Sequence, residues 1–112
     1  RSNFALIPGV LEALRQINKW GVANIQNTLY DSNLALCKKL SGLGLQIPKA
    51  ENRGPHFIGA KLPSNAPTNI LETLAENKIF ISERGGNLRI TPHLWNNTTD
   101  FERLTETLKK IL

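Results

Sequence analysis

A diglycine in the last third of the chain constrains the fold more than any other feature. Residues 85–86 separate a β-branched and aromatic run, 79–82, from a second run, 87–91. In the second run Leu88 and Ile90 alternate with polar residues, which is the period of a strand with one apolar face. Glycine adopts the positive φ angles that a two-residue hairpin turn requires. The sequence therefore predicts a β-hairpin and, with it, an antiparallel sheet.

Two helix-forming stretches precede this hairpin. Apolar residues recur at helical spacing over about 7–19, with Pro8 in the first turn, where a missing amide is tolerated. After Gly21 a second helix of about twenty residues is predicted over 21–41, ended by Gly42 and Gly44. Its apolar stripe consists of Val22, Ile25, Leu29, Leu36 and Leu40. A helix this long at the start of a small domain is expected to be a connecting helix, or else an ordinary core helix.

The remaining segments predict a strand and two further helices. The strand covers 56–62, a short helix begins with the cap residues of 64–67 and closes near Asn77, and a final helix follows the capping-box spacing of Thr99 and Glu102. The expected class is α+β: a small, mostly antiparallel sheet with helices packed on one face, preceded by the long connecting helix.

Composition narrows the class of protein. At 112 residues the chain is long enough for one core. Its net charge of +5 is spread along the chain rather than gathered into a basic block, which argues against nucleic-acid binding. The single cysteine excludes an internal disulfide and a multi-thiolate metal site. No apolar run reaches the roughly 18 residues of a membrane span, and no signal peptide is visible, so we expect a cytoplasmic protein without membrane contact.

Few residues are candidates for chemistry. The sequence has no phosphate-binding glycine loop and no paired histidines on a helix, and it predicts no metal site. Cys37 lies on an apolar helix face and is expected to be a small buried group, while His56 and His93 are expected to be strand-end hydrogen-bonding residues. Arg89 is different, because it lies in the middle of a short predicted strand, on the face opposite Leu88 and Ile90. A guanidinium held there can bind a carboxylate through two parallel hydrogen bonds, although an ordinary exposed strand residue is the alternative.

The segment that contains Arg89 has a recognisable pattern. The run RGGNLRITPHLWNNTTDFERL, residues 84–104, resembles the carboxy-terminal signature of the class V aminotransferase family of fold-type I pyridoxal-phosphate enzymes. That signature is a strand of the form LRxSPHxYN followed by a helix of the form TxxDxxRLxxxL. Thr91 and Trp95 stand where the pattern has Ser and Tyr. Weaker similarity, in Asn3-Phe4 and Trp20-Gly21-Val22, extends to the start of the chain.

The resemblance implies a role for the chain and for three arginines. By it, residues 21–112 are a carboxy-terminal small domain and residues 1–20 are the end of a large-domain region. Arg89 corresponds to the arginine that binds the substrate α-carboxylate, and Arg84 to one near the same pocket. Arg1 falls in a segment that approaches the cofactor phosphate of the partner subunit in a homodimer.

The resemblance also places the cofactor machinery outside this chain. The Schiff-base lysine belongs to the large domain, which precedes Arg1. The chain alone is therefore expected to be inactive, to hold no pyridoxal phosphate and to contain no catalytic residue, while the parent would be a transferase, a lyase or an epimerase.

The reaction and the substrate side chain stay open. Transamination, elimination and racemisation or epimerisation are all compatible with the sequence, since the cofactor supplies the carbanion chemistry. Only four residues separate Arg84 from Arg89, which leaves no room for the cysteine-bearing loop of the cysteine desulfurases of the same class. The alternative function is a free-standing, small, basic α+β module that binds nucleic acid or an acidic partner.

Overall fold

The computed structural model describes residues 3–112 and has the expected α+β class. The helices are α1 (Ile7–Trp20), α2 (Val22–Gly42), α3 (Ile70–Glu76) and α4 (Thr98–Ile111). The strands are β1 (Ile58–Lys61), β2 (Ser82–Arg84) and β3 (Asn87–Ile90). Short 3₁₀ turns occupy Phe4–Leu6 and Ala50–Asn52. Among the described residues no helix is both long and apolar enough to cross a membrane.

The three strands form one antiparallel sheet in the order β1–β3–β2. In β1 and β3, Ile58 lies opposite Ile90 and Ala60 opposite Leu88, and all four side chains are buried. The alternate positions point the other way, because successive side chains of a strand face opposite sides of the sheet. The sheet therefore has an inner face, defined by these four apolar residues, and an outward face.

Three helices cover the inner face, as the sequence predicts. The core residues that they supply are Leu36, Cys37 and Leu40 of α2, Ile70 and Leu74 of α3, and Leu104 and Leu108 of α4. Full burial of one such leucine or isoleucine stabilises the fold by about 1.5 to 3 kcal/mol relative to leaving it exposed. The long predicted helix is thus α2, and its second half is part of this core.

The hairpin forms at the predicted glycines, but its first strand is displaced. Gly85 and Gly86 have φ angles of 59° and 75°, the positive values that the two-residue turn requires. This turn places Arg84 opposite Asn87, so pairing runs from there back to Ser82 only. The prediction of a strand over 79–82 is therefore wrong for its first three residues, of which Ile79 and Ile81 pack against the core instead.

The final helix also begins differently from the prediction. Its capping box is made by Asn97 and Asp100, rather than by Thr99 and Glu102. Asn97 has the extended backbone of a cap residue, and its side chain accepts a hydrogen bond from the Asp100 backbone N–H at 3.1 Å. The Asn97 backbone N–H donates to the Asp100 carboxylate, which lowers the pKa of that group below its ordinary value. The Asn96 side chain and Arg103 act in the same direction.

Two other predicted boundaries move inward, and one helix lies apart from the core. The strand predicted over 56–62 is limited to β1, and α3 begins at Ile70 rather than within 64–67.

Every residue of α1 is exposed, including Val10 and Leu14, which are 56% and 53% accessible. The amphipathic pattern of α1 therefore has no apolar partner within residues 3–112.

Candidate carboxylate-binding face

Arg89 lies at the centre of the outward face. It is the third residue of β3, the middle strand, and its side chain is exposed, whereas Leu88 and Ile90 on either side are buried. Its neighbours across the strands are Gly59 on β1 and Ser82 on β2. Both neighbours are small, so their own side chains do not crowd the long arginine side chain. The prediction that Arg89 faces away from the core is confirmed.

An aromatic ring lies against the guanidinium. The Cζ atom of Arg89 is 5.4 Å from the centroid of the Phe57 ring, within the range of a cation–π contact. Phe57 and Gly59 are two residues apart on the chain, so they lie on the same side of the sheet. A Cβ atom added to Gly59 would be 3.7 Å from the Phe57 Cε1 atom. The ring therefore lies over Gly59 and next to Arg89.

A shallow depression of about 340 Å³ opens beside Arg89 towards the edge strand. Its lining consists of Phe80, Ile81, Ser82, Arg89 and Thr91. Phe80 stands out from the surface with 79% of its area exposed. An ion bound between these side chains would lose part of its water, and lower local polarity strengthens its attraction to a guanidinium.

The charges of the outward face are all of one sign. Lys61 and Arg84 lie on either side of Asn87 in the register of the three strands, and they share the outward face with Arg89. Glu83, the acid of these strands, lies opposite Leu88 and so on the other face. The ion pairs found among residues 3–112 involve none of the three cations. Such a surface favours an anionic ligand over a cationic one.

Arg84 is close enough to take part in the same site. It pairs with Asn87, two residues from Arg89 along β3, which makes the two arginines diagonal neighbours. Diagonal neighbours across two strands are about 7 to 8 Å apart at the backbone, within reach of long side chains. The structure thus brings together Arg84 and Arg89, while Arg1, the third arginine of the sequence analysis, lies outside the described residues.

The other residues that the sequence analysis considered for chemistry, among them Cys37 and His93, are not part of this face. Cys37 is buried in the core, and burial raises the pKa of its thiol, against a smaller opposite effect of Arg53. The His93 ring stacks on Trp95 with centroids 4.3 Å apart. No cluster of three His, Cys, Asp or Glu side chains that could hold a metal ion occurs within residues 3–112.

The residues of the outward face do not fit pyridoxal phosphate. The cofactor needs a lysine in an enclosed pocket, and the depression beside Arg89 is open and has no lysine in its lining. What the depression offers is one guanidinium with aromatic and aliphatic side chains around it. This arrangement fits a carboxylate.

Sequence reasoning missed the aromatic residues of the site. Phe57 counted only as one of the apolar residues of a predicted strand, and Phe80 as part of a predicted strand segment that lies outside β2. A stricter alternation over 57–61 would have separated Phe57, Gly59 and Lys61 from the buried Ile58 and Ala60. The signal was therefore present for Phe57, whereas the position of Phe80 depends on the displaced pairing of β2.

Comparison with known proteins gives structural matches. No protein-family model matches the sequence, and a search of curated proteins finds no match. A NifS-like protein matches 99% of the chain with a TM-score of 0.80 and 19% identity. The alanine–glyoxylate aminotransferase of Nostoc sp. matches 89% with a TM-score of 0.72 and 23% identity. The ureidoglycine–glyoxylate aminotransferase of Bacillus subtilis matches 90% with a TM-score of 0.74 and 16% identity.

The matches cover nearly all of this chain but a minor part of the other proteins. The chain spans 35% of the NifS-like protein, 29% of the Nostoc enzyme and 28% of the Bacillus enzyme. At these identities the likeness is one of fold. The fold that the class V resemblance implies is therefore confirmed: residues 3–112 have the fold of about a third of an aminotransferase or NifS-like protein.

Proposed function

We propose that this chain is the carboxy-terminal small domain of a pyridoxal-phosphate-dependent enzyme of the class V aminotransferase kind. In this proposal the domain closes the active site and binds the carboxylate of an amino acid or a related substrate. The observation that carries it is the placement of Arg89, whose guanidinium forms no ion pair within residues 3–112 and lies at the centre of a cationic sheet face in a fold shared with aminotransferases.

Arg89 is the group that binds the carboxylate. The middle strand holds its backbone on both sides by pairing, so the guanidinium starts from a fixed point. A planar guanidinium donates two parallel hydrogen bonds to a carboxylate, which sets the orientation of the substrate as well as its affinity. Arg84 adds positive charge at the hairpin end of the same face. Neither residue moves a proton, so their role is binding and orientation.

The rest of the parent enzyme supplies what these residues lack. Residues 1–20 would belong to the end of the large domain, and residues 21–112 would form the small domain, with α2 as the connecting helix. The exposed apolar side of α1 supports this division, since a large domain of the same chain would cover it. The cofactor would lie in that large domain, with Arg1 near the cofactor phosphate of the partner subunit in a homodimer.

The free-standing module is not favoured. Its support is the net charge, and the cations of the outward face amount to three residues on one small sheet. A nucleic-acid surface is typically a longer basic stripe. The transaminating, eliminating and epimerising reactions all remain compatible with a domain that binds the carboxylate.

The test compares substrates in the intact enzyme. L-alanine, L-serine and L-cysteine are each offered with the matching decarboxylated amine, and kcat/KM is measured for the wild type, Arg89→Lys and Arg89→Ala. Hydrogen bonds to charged groups contribute about 1.5 to 3 kcal/mol, and more when they are desolvated, so kcat/KM for the amino acid should fall about tenfold to several hundredfold with lysine and further with alanine. The amine, which has no carboxylate, should lose little. Equal losses for acid and amine would refute the proposal.

A further inference from the structure

Phe57 is an aromatic residue without a place in the core. It is half-buried, yet it belongs neither to the buried core nor to the partly buried side chains packed against that core. It lies on the outward face, where the other side chains of the strands are small or charged. On this face the ring lies beside Gly59 and contacts the Arg89 guanidinium.

Gly59 makes room for this arrangement. It lies directly opposite Arg89, and the Phe57 ring lies within van der Waals distance of the position where a Cβ of residue 59 would be. A larger side chain at residue 59 would occupy the space between the ring and Arg89. Gly59 is the residue of β1 without a side chain. Because it lacks one, the Phe57 ring can lie over it and contact the Arg89 guanidinium.

The segment that leads to Phe57 is tied to the long helix. Asn33, on α2, is fully buried in an otherwise apolar stripe, and its side-chain amide donates a hydrogen bond to the backbone carbonyl of Pro55. Two residues later the chain reaches Phe57. The Asn33 side-chain Oδ1 has no hydrogen-bond partner within residues 3–112, so the amide N–H bond is what ties this loop end to α2.

We infer that Phe57 is a positioning residue for Arg89: its ring holds the guanidinium in one orientation, so that the N–H groups are ready to receive a carboxylate. The inference rests on the proposed function and names a residue that the family pattern does not contain. An arginine free in solvent loses about 2 kcal/mol of rotamer freedom when it is fixed, and a ring contact made before binding reduces that cost. A guanidinium that lies parallel to the ring in such a contact keeps its N–H edge free for a carboxylate.

The first measurement tests the contact in the 112-residue chain. The δ-methylene protons of Arg89 should be displaced upfield in the NMR spectrum by the Phe57 ring current. Phe57→Leu should abolish the displacement and Phe57→Tyr should preserve it. Tyr30→Leu, which removes an exposed aromatic residue of α2, is the matched control and should leave the Arg89 signals in place. Absence of the displacement in the wild type would overturn the inference, whatever the chain binds.

The second measurement tests the role in the intact enzyme, with L-alanine, L-serine and L-cysteine as probes. The strength of a cation–π contact ranges from that of an exposed pair to that of a partly desolvated pair, which corresponds to about a 2- to 30-fold change in an equilibrium. Phe57→Leu should therefore raise KM for the amino acid by a factor in this range. The effect on kcat should be smaller, Phe57→Tyr should restore KM, and KM for the matching amine should not move. A purely structural role would instead raise KM for acid and amine together.

The two hypotheses fail differently. If Arg89→Ala does not change KM for any amino acid, the proposed function fails and the inference fails with it. If Arg89→Ala raises KM strongly and Phe57→Leu leaves it equal to the wild type, carboxylate binding stands and the positioning role of Phe57 is overturned.

Discussion

The two faces of the small sheet share one backbone but differ in the burial, polarity and charge of their side chains. On the inner face Ile58, Ala60, Leu88 and Ile90 are at most 4% exposed and lie under three helices. On the outward face Arg89 and its cationic neighbours are exposed and make no ion pair within the described part of the chain. Alternate residues of β3 are thus buried in the core or exposed on the outward face, where we propose that Arg89 binds a ligand. Changes on one face should leave the other property intact.

Leu88→Ala should give the largest effect on stability. Leu88 is fully buried, and truncation of such a leucine removes transfer free energy and leaves a cavity, together worth about 2 to 5 kcal/mol. Urea unfolding of the chain measures the loss. The neighbouring change Arg89→Gln is the matched control and should cost less than about 0.5 kcal/mol, as surface substitutions do. A small loss with Leu88→Ala would mean that the inner face does not hold the fold together.

Helix α1 also has a surface that no other element covers within residues 3–112, but this surface is an apolar side of the helix. We expect the isolated chain to bind an apolar dye or to self-associate, because large exposed apolar patches favour either outcome. Leu14→Glu should reduce dye binding and shift light scattering towards a monomer. Arg15→Gln, on the polar side of the helix, is the control. A monomer at high concentration without dye binding would contradict the expectation.

Pyridoxal phosphate should not form a stable complex with the isolated chain, because the outward face offers no enclosed lysine. A visible absorption band that survives gel filtration and disappears with borohydride would contradict this prediction. Nonspecific adducts with exposed lysines should be removed by the filtration.

The sequence predicts the inner face well, and the reason is local. Alternation over 87–91 and two glycines are enough to define a hairpin, and the helical stripe of α2 is long enough to be unambiguous. The cap of α4 is harder, since Asn97 with Asp100 and Thr99 with Glu102 have the same spacing. The choice between these two pairs depends on where the chain leaves the sheet, which the sequence alone does not show.

The composition of the candidate site depends on pairing between distant segments. That Gly59 and Ser82 flank Arg89 follows from the register of three strands, and a shift by one residue would replace both with other side chains. For this reason Arg89 and Arg84 could be nominated from the sequence, whereas the position of Phe80 and the contact between Phe57 and Arg89 could not be predicted from it. Which charged and aromatic side chains lie near Arg89 is known only once the pairing of the strands is known.

Gly86→Ala should have an intermediate effect on the hairpin that carries both faces. Nothing lies within 4 Å of a Cβ placed at Gly86, so the cost comes from its φ angle of 75° and not from a clash. The left-handed conformation costs a residue with a Cβ about 1 to 2 kcal/mol. Gly9→Ala, in helix α1 with open space around it, is the control and should be neutral or slightly stabilising. Equal effects in a urea melt would show that the turn is not constrained.

The smallest of the expected effects is a dependence of stability on acid pH, which comes from the cap of α4. The pKa of Asp100 is lower in the folded chain than its ordinary value of 3.8, because the Asn97 backbone N–H stabilises the carboxylate. The stabilisation is therefore complete above that ordinary value and is lost as pH falls through the lower, folded value. Asp100→Asn should show a flatter decline of stability in acid than the wild type, while Glu102→Gln should follow the wild type. Parallel acid curves for all three proteins would exclude this role of Asp100.

The most direct test of the division between the two faces measures activity and melting temperature on the same pair of variants of the intact enzyme. Arg89→Ala should lower kcat/KM for the amino-acid substrate by more than about a hundredfold and leave the melting temperature near that of the wild type. Leu88→Ala should lower the melting temperature clearly and, below that temperature, retain most of the activity. The account is contradicted if Arg89→Ala melts as early as Leu88→Ala, or if it keeps the wild-type kcat/KM.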